Sequence, residues 1–381
     1  MKFSKWLLLF SMTVLLLACT AACAPHHRGG ANMADDDSDD DNNDSSPNSD
    51  DDNDSSPSSD DDSDDDASPT DDDDNDDDDN DDDDFVWAPM AGDFPLLRAV
   101  WGTTHDDVFA VGDGIVQYDG VAWRRMSEQL GLALNAVWGT SSTNVFAAGG
   151  LPETLAGGIY YYNGATWTMT DAPQQPYTGI WGASSTDIYS VGYEPVAGWF
   201  YYTGWISRYD GSSWSEVFSS STVIPVSVWG LSATDVYVGV DGGVLHGSGL
   251  SWQMEEVPSE CDVAALWGAS PSDICAVGLD NDAVGCIVHY DGESWSAMSQ
   301  GQFTMLWGIW GSSNTDVFAV GGEDTGDNGT IIHYDGASWS AMTGGPYSSL
   351  QGIWGSGLGD VFAVGYDQAG NGAIYHYGPP Q

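Results

Sequence analysis

From residue 97 onward, short runs of Val, Ile, Phe, Tyr and Trp alternate with clusters of Gly, Ser, Asn and Asp, and the order of the runs repeats. Residues 306–342, LWGIWGSSNTDVFAVGGEDTGDNGTIIHYDGASWSAM, show one unit. The pattern predicts four strands there: an apolar run ending in Trp-Gly, then DVFAVG, then TIIHYDG, then SWSAM. No window carries a helical period. The Trp-Gly pair that ends the first run recurs at Trp101, Trp138, Trp181, Trp229, Trp267, Trp310 and Trp354, at spacings of 37, 43, 48, 38, 43 and 44 residues. A unit of four short strands, repeated seven times, predicts an all-β fold: a seven-bladed β-propeller of four-stranded blades.

The strand count also predicts how the ring closes. The last unit, LQGIWGSGLGDVFAVGYDQAGNGAIYHYGPPQ, stops after its third strand. Outer strands begin at Trp123, Trp167, Trp214, Trp252, Trp295 and Trp339, which is one too few. The missing one is FVWAPM at 85–90, whose Trp87 and Met90 repeat the outer-strand pattern. An N-terminal strand therefore closes the last blade, and Trp87 is expected near Ile374 and Tyr375. Such closure leaves no open sheet edge.

The repeat resembles those of kelch and Asp-box propellers. Gly321-Gly322 ends the second strand as a kelch diglycine does, and Tyr334 and Trp339 follow in kelch order at a shorter spacing. The HYDGASW turn resembles an Asp-box with one residue missing between Asp335 and Gly336.

The 84 residues before the repeats are of another kind. Lys2 and Lys5 precede an apolar run from Trp6 to Ala18, too short for a bilayer span of about 20 residues, and this reads as a secretory signal over residues 1–18. Leu16-Leu17-Ala18-Cys19 resembles a bacterial lipobox, which implies a lipid on Cys19. Thr20 follows, where an Asp is associated with retention at the inner membrane, so the resemblance implies an outer-membrane or cell-surface location. Residues 19–84 are an Asp/Ser-rich linker expected to be disordered, because like charges repel and no core can form. Its stretch 35–84 holds 29 Asp, no Glu and no Lys or Arg. It lacks the Gly of a calcium loop, so loose counterion binding is expected there.

Charge narrows the partners. The chain carries a net −52; of its 59 acids, 59 − 29 = 30 fall in 85–381 against four Arg, which leaves −26 for the propeller. Nucleic acid and anionic headgroups are thereby excluded as partners. The partners expected are the membrane, through the N-terminal lipid, and a protein or glycan ligand. A monomer is expected.

Strand order assigns the loops to two faces. Connections between first and second strands, and between third and fourth, are short and uniform, and Asp107, Asp187, Asp235, Asp273, Asp316 and Asp360 recur there as expected turn caps. The opposite face varies, as recognition surfaces do. Its longest loop, GYEPVAGWFYYTGW, offers Trp199, Phe200, Tyr201, Tyr202 and Trp205 as ligand-binding aromatics, with packing on a neighbouring blade as the alternative. No cofactor is expected; the cation site these loops suggest is calcium at Asp324 and Asp327 in EDTGDNG. His246, His289, His333 and His376 share one register in four blades, so they are spread around the ring and do not meet on one ion. Cys261, Cys275 and Cys286 allow one disulfide with the pairing open.

The function these features point to is a non-catalytic propeller on a cell-surface lipoprotein. It would bind a macromolecule or glycan through its variable-loop face. The alternatives are a carbohydrate-active enzyme or a structural surface protein. A sialidase-like site would need clustered arginines, and Arg124 and Arg125 lie on an outer strand. A paired-carboxylate hydrolase finds no two acids singled out.

Overall fold

The structure is a computed structural model that describes residues 85–379 apart from 128–129, 152–154, 197–201, 250, 259–260, 301–302, 324–328 and 344–347. The described residues form seven four-stranded antiparallel sheets. In blade one the strands are Leu97–Thr104, Asp107–Gly112, Ile115–Tyr118 and Trp123–Ser127. The first strand of each blade lies against that of the next, and the first strand of blade seven lies against that of blade one. The chain is a seven-bladed propeller, as the repeat predicts.

Blade seven consists of Ser349–Gly357, Asp360–Tyr366 and Gly372–Gly378, with Val86–Pro89 as its outermost strand. The closing strand is FVWAPM. Its register differs slightly from expectation: Trp87 lies opposite Tyr377, while Pro89 lies opposite Tyr375 and the Met90 amide donates to the Ile374 carbonyl at 2.9 Å. The Trp87 ring packs at 5.4 Å from Tyr377 and edge-on at 6.2 Å from Phe318 of blade six. Its Nε1 donates to Sδ of Met342 in blade six at 3.2 Å, and Sδ of Met90 accepts from Trp123 Nε1 in blade one at 3.2 Å. The Trp and the Met of this segment thus bond the blades on its two sides.

The core is divided into layers, one between each pair of blades. Phe318, Ile331, Leu350 and Trp87 fill the layer between blades six and seven; Leu97, Val116, Phe362 and Ile374 fill the one between seven and one. A blade is therefore covered on both faces, and its second strand is apolar without alternation. In Asp107–Gly112, DVFAVG, every residue after Asp107 is buried. The hairpins between third and fourth strands turn on Asp-Gly pairs in blades one, three, five and six, with Asn163-Gly164 and Ser248-Gly249 in their place in blades two and four. Gly336 has φ +90° and the Asp335 carboxylate accepts from the amides of Ala337 and Ser338 at 2.8 Å each.

Candidate functional site

The residue that heads each second strand meets a side chain of the third strand. Asp235 accepts from His246, Asp273 from His289, Asp316 from His333 and Asp360 from His376, each at 2.7 Å. Asp107 accepts from Gln117 at 2.8 Å, and Asp187 holds Arg208 through two bonds of 2.8 and 2.6 Å. The second oxygens of Asp107, Asp316 and Asp360 do tie the first turn, accepting from Thr103, Ser312 and Ser356 four residues earlier; what differs from the expectation of turn caps is that the other oxygen bonds the third strand. A side chain at the head of the second strand faces the third, and a donor there reaches it. The Ser184, Ser232, Ser270 and Ser313 hydroxyls accept from turn amides instead. Each of the four histidines is bonded within its own blade, which agrees with their not sharing one ion.

These bonds set the charges. His246 also bonds Glu255 at 2.9 Å, and that bond, helped by Asp235 and opposed by burial, raises its pKa. Burial pushes the Asp316 and Asp360 carboxyls up, but bonds from His333 and Ser312 hold Asp316 below the usual range. Bonds from His376, Ser356 and His105 hold Asp360 at about 2.

Blade two departs from this rule. Its pair is Asn144 and Tyr161, with Asn144 Nδ2 donating to the phenol oxygen at 3.3 Å, and its Oδ1 is buried without a partner. A cleft of about 430 Å³ lies here, between blades two and three. Asn144, Phe146 and Tyr161 come from the second and third strands of blade two, Asn144–Leu151 and Ala156–Tyr162. Thr168 of the outer strand Trp167–Met169 adds its side chain, and Thr170 and Asp171 follow it. Blade three contributes Ser185 from its first turn, and Tyr209 and Trp214, which flank its last one. Buried Phe146 backs Tyr161 at 4.9 Å, and Tyr209 and Trp214 pack at 5.4 Å, so one wall is the supported Tyr161 ring and the other an aromatic pair. Between them sit hydroxyl, amide and carboxylate groups. The arrangement can stack on a flat apolar face while bonding polar groups around its edge. Sequence reasoning looked to the opposite face. The signal was nonetheless present: NVF replaces DVF in blade two, and Tyr161 stands where other blades have His, Arg or Gln.

Among the aromatics named from the long loop of blade three, Tyr202 and Trp205 lie in the strand Tyr202–Tyr209, opposite Pro195 and Gly192. Trp205 is 2% exposed and packs with Phe146, Ile159 and Tyr177 in the layer between blades two and three. It is a core residue, which corrects its assignment to a ligand surface; strand alternation turned it inward. Tyr202 is half-buried and meets Tyr193 edge-on at 6.0 Å. Trp199, Phe200, Tyr201, Asp324, Asp327 and Cys19 lie outside the described residues, as do the signal and the linker. Asp280 and Asp367, on the variable face, accept from amides of their own loops. The disulfide joins Cys261 to Cys286, and Cys275 is free and buried.

No protein-family model matches this chain, and no curated protein matches it in sequence. Solved propellers share its fold. YCF48 bound to D1 peptide is similar at a TM-score of 0.58 and 12% identity, covering 77% of this chain and 97% of that one. The WD40 β-propeller domain of Doa1 is similar at 0.55 and 13%, covering 76% and 97%. The extracellular domain of a one-component system from B. thetaiotaomicron is similar at 0.55 and 12%, covering 76% of this chain and 39% of that one.

Proposed function

We propose that this chain is a non-catalytic binding propeller that takes a neutral carbohydrate in the cleft between blades two and three, and that a lipid on Cys19 holds it at a bacterial outer membrane. The cleft carries the reading. Its walls, Tyr161 backed by Phe146 and Tyr209 with Trp214, suit the C–H face of a sugar ring, and Asn144, Thr168, Ser185 and Asp171 suit the hydroxyls at its edge. Its volume of about 430 Å³ lies within the usual range of ligand sites. The negative charge of the propeller favours a neutral ligand over an anionic one. A single carboxylate, Asp171, lines the cleft, whereas glycoside hydrolysis ordinarily uses two; this supports binding over turnover. A peptide is the second reading, supported by the likeness in fold to a propeller solved with a peptide bound.

The anchor rests on LLAC and Thr20, and the linker on its charge. Stretched fully, residues 35–84 would span about 165–180 Å, enough to hold a propeller well clear of a membrane.

The test is a glycan array and a peptide array probed with the full chain, with and without a chelator. Asp171→Ala and Thr168→Ala remove exposed groups, so melting should hold while affinity for the captured sugar falls at least tenfold. Capture of peptides alone would replace the ligand class, and sugar binding unchanged in both variants would remove the cleft. Mass spectrometry of the mature chain should find an acylated Cys19 at its N-terminus; an unlipidated product starting elsewhere would end the anchoring reading.

A further inference from the structure

One residue breaks the repeat at the seam where the ring closes. His105 lies in the first turn of blade one, in a register that holds Ser142, Ser185, Ala233, Pro271, Asn314 and Leu358 in the other blades. From there its Nδ1 reaches across the seam to Oδ1 of Asp360 in blade seven at 2.7 Å. The same oxygen takes His376 Nε2 at 2.7 Å. Blades four, five and six have the His–Asp pair without this second imidazole in the corresponding turn.

We propose that His105, Asp360 and His376 form a binding site for a divalent transition metal, Zn²⁺ by preference, that staples blade one to blade seven. The three donor atoms lie within 4.8 Å of one another. Around a tetrahedral zinc, with bonds of about 2.0–2.1 Å, donor atoms stand about 3.3 Å apart. Each of the two contacts at 2.7 Å opens by about 0.6 Å to admit the ion, and the two ring nitrogens, no more than 4.8 Å apart, adjust to the same spacing. Two imidazoles and one carboxylate are a zinc-type donor set. The proton each ring now donates to Asp360 moves to its other nitrogen, and the two freed lone pairs converge where Oδ1 now lies, so the carboxylate draws back to make room for the ion and becomes its third ligand.

The surroundings suit a cation. The Ser356 hydroxyl donates to Oδ2 of Asp360, which leaves Oδ1 for the metal and fixes the carboxylate plane. His376 packs at a tilt 4.6 Å from Phe362, and His105 meets Tyr118 edge-on at 5.7 Å, so both rings have aromatic neighbours that orient them. Besides Asp360, Asp106 and Asp119 lie close enough to act on the Tyr118 hydroxyl, which adds negative charge around the site. His376 and Asp360 are 9% and 17% exposed, while His105 is 42% exposed. The ion therefore enters from the His105 side, and its fourth position faces water.

Cobalt(II) is the probe, because a tetrahedral nitrogen-ligated ion gives an intense visible band that loose binding to the Asp-rich linker does not. The purified full chain, freed of metal with a chelator, is titrated with Co²⁺ and then with Zn²⁺. One equivalent should develop the band, and Zn²⁺ should abolish it and raise the melting temperature. His105→Ser places the residue of blades two and three in that register, so the fold is kept. It should weaken binding at least tenfold and remove the Zn²⁺ effect on melting. His333→Gln, a change to the matching histidine of blade six, should leave both unaltered. No band in the unaltered chain, or the same band in His105→Ser, would overturn the site and leave three hydrogen-bonded side chains.

Discussion

The indole of Trp354 lies over the α-carbon of Gly102, so closely that a methyl group placed there would sit 2.8 Å from the ring. Trp354 belongs to blade seven and Gly102 to blade one. The same contact runs round the ring: Trp101 covers Gly139, Trp138 covers Gly182, Trp181 covers Gly230, Trp229 covers Gly268, Trp267 covers Gly311 and Trp310 covers Gly355. Each Trp-Gly pair is thus half of two contacts, its Trp serving the next blade and its Gly receiving the one before.

Gly102→Ala should therefore loosen the closing seam. The new methyl would meet the Asp107 carbonyl at 2.7 Å as well as the indole. Overpacking of this kind costs about 1–3 kcal/mol. Denaturant unfolding measures it, and an unchanged midpoint would mean that the indole moves aside freely.

Trp87→Ala should cost about 3–5 kcal/mol, as truncation of a buried aromatic does. Trp87 is buried against Tyr377 and Phe318. A chain beginning at residue 85 should melt like the full chain, whereas one beginning at residue 91 should melt far lower or aggregate, because the blade-seven edge is bared. Equal melting of the two would show that the strand is dispensable.

Reduction should destabilise blade five. Cys261 and Cys286 are 25 residues apart, and closing a loop of that length is worth about 3–4 kcal/mol in the chain-entropy treatment. Cys261→Ser with Cys286→Ser should lower the unfolding free energy accordingly, as read by calorimetry. Burial pushes the Cys275 thiol up to about 12, so it should resist alkylation until the protein unfolds.

Blades four and five share a pH-dependent tie, in which Glu255 bonds both His246 and Trp295. The pKa of His246 is raised from 6.5, so its contribution is full below about 6.5 and fades as pH rises through the folded value. That of Glu255 is lowered from 4.5, the bonds from His246 and Trp295 outweighing the upward push of burial; its contribution is full above about 4.5 and fades as pH falls through the folded value. A double-mutant cycle of His246→Gln and Glu255→Gln should show its largest coupling between about 4.5 and 6.5 and a smaller one at pH 9. Coupling as large at pH 9 as between about 4.5 and 6.5 would refute the assignment.

Strand count, blade count and the closing role of FVWAPM are all legible in the chain. Each blade buries both faces of a short sheet, so every repeat must spell out the same apolar runs, and an incomplete last repeat announces its missing strand. The disordered character expected of the linker follows in the same way from composition, which offers nothing to bury.

The sites are another matter. His105 and Asp360 are 255 residues apart and meet only because the ring closes. Trp205 reads like its loop neighbours, yet strand register turns it into the core. The three cysteines are equivalent in sequence until the sheet of blade five brings two of them together. The repeated aspartates look like turn residues until the third strand presents a donor to each. Local pattern determined what repeats, because burial acts on every blade alike. Tertiary structure decided which departures from the repeat come together, because contact across a seam depends on position around the ring, and a linear sequence does not carry that position.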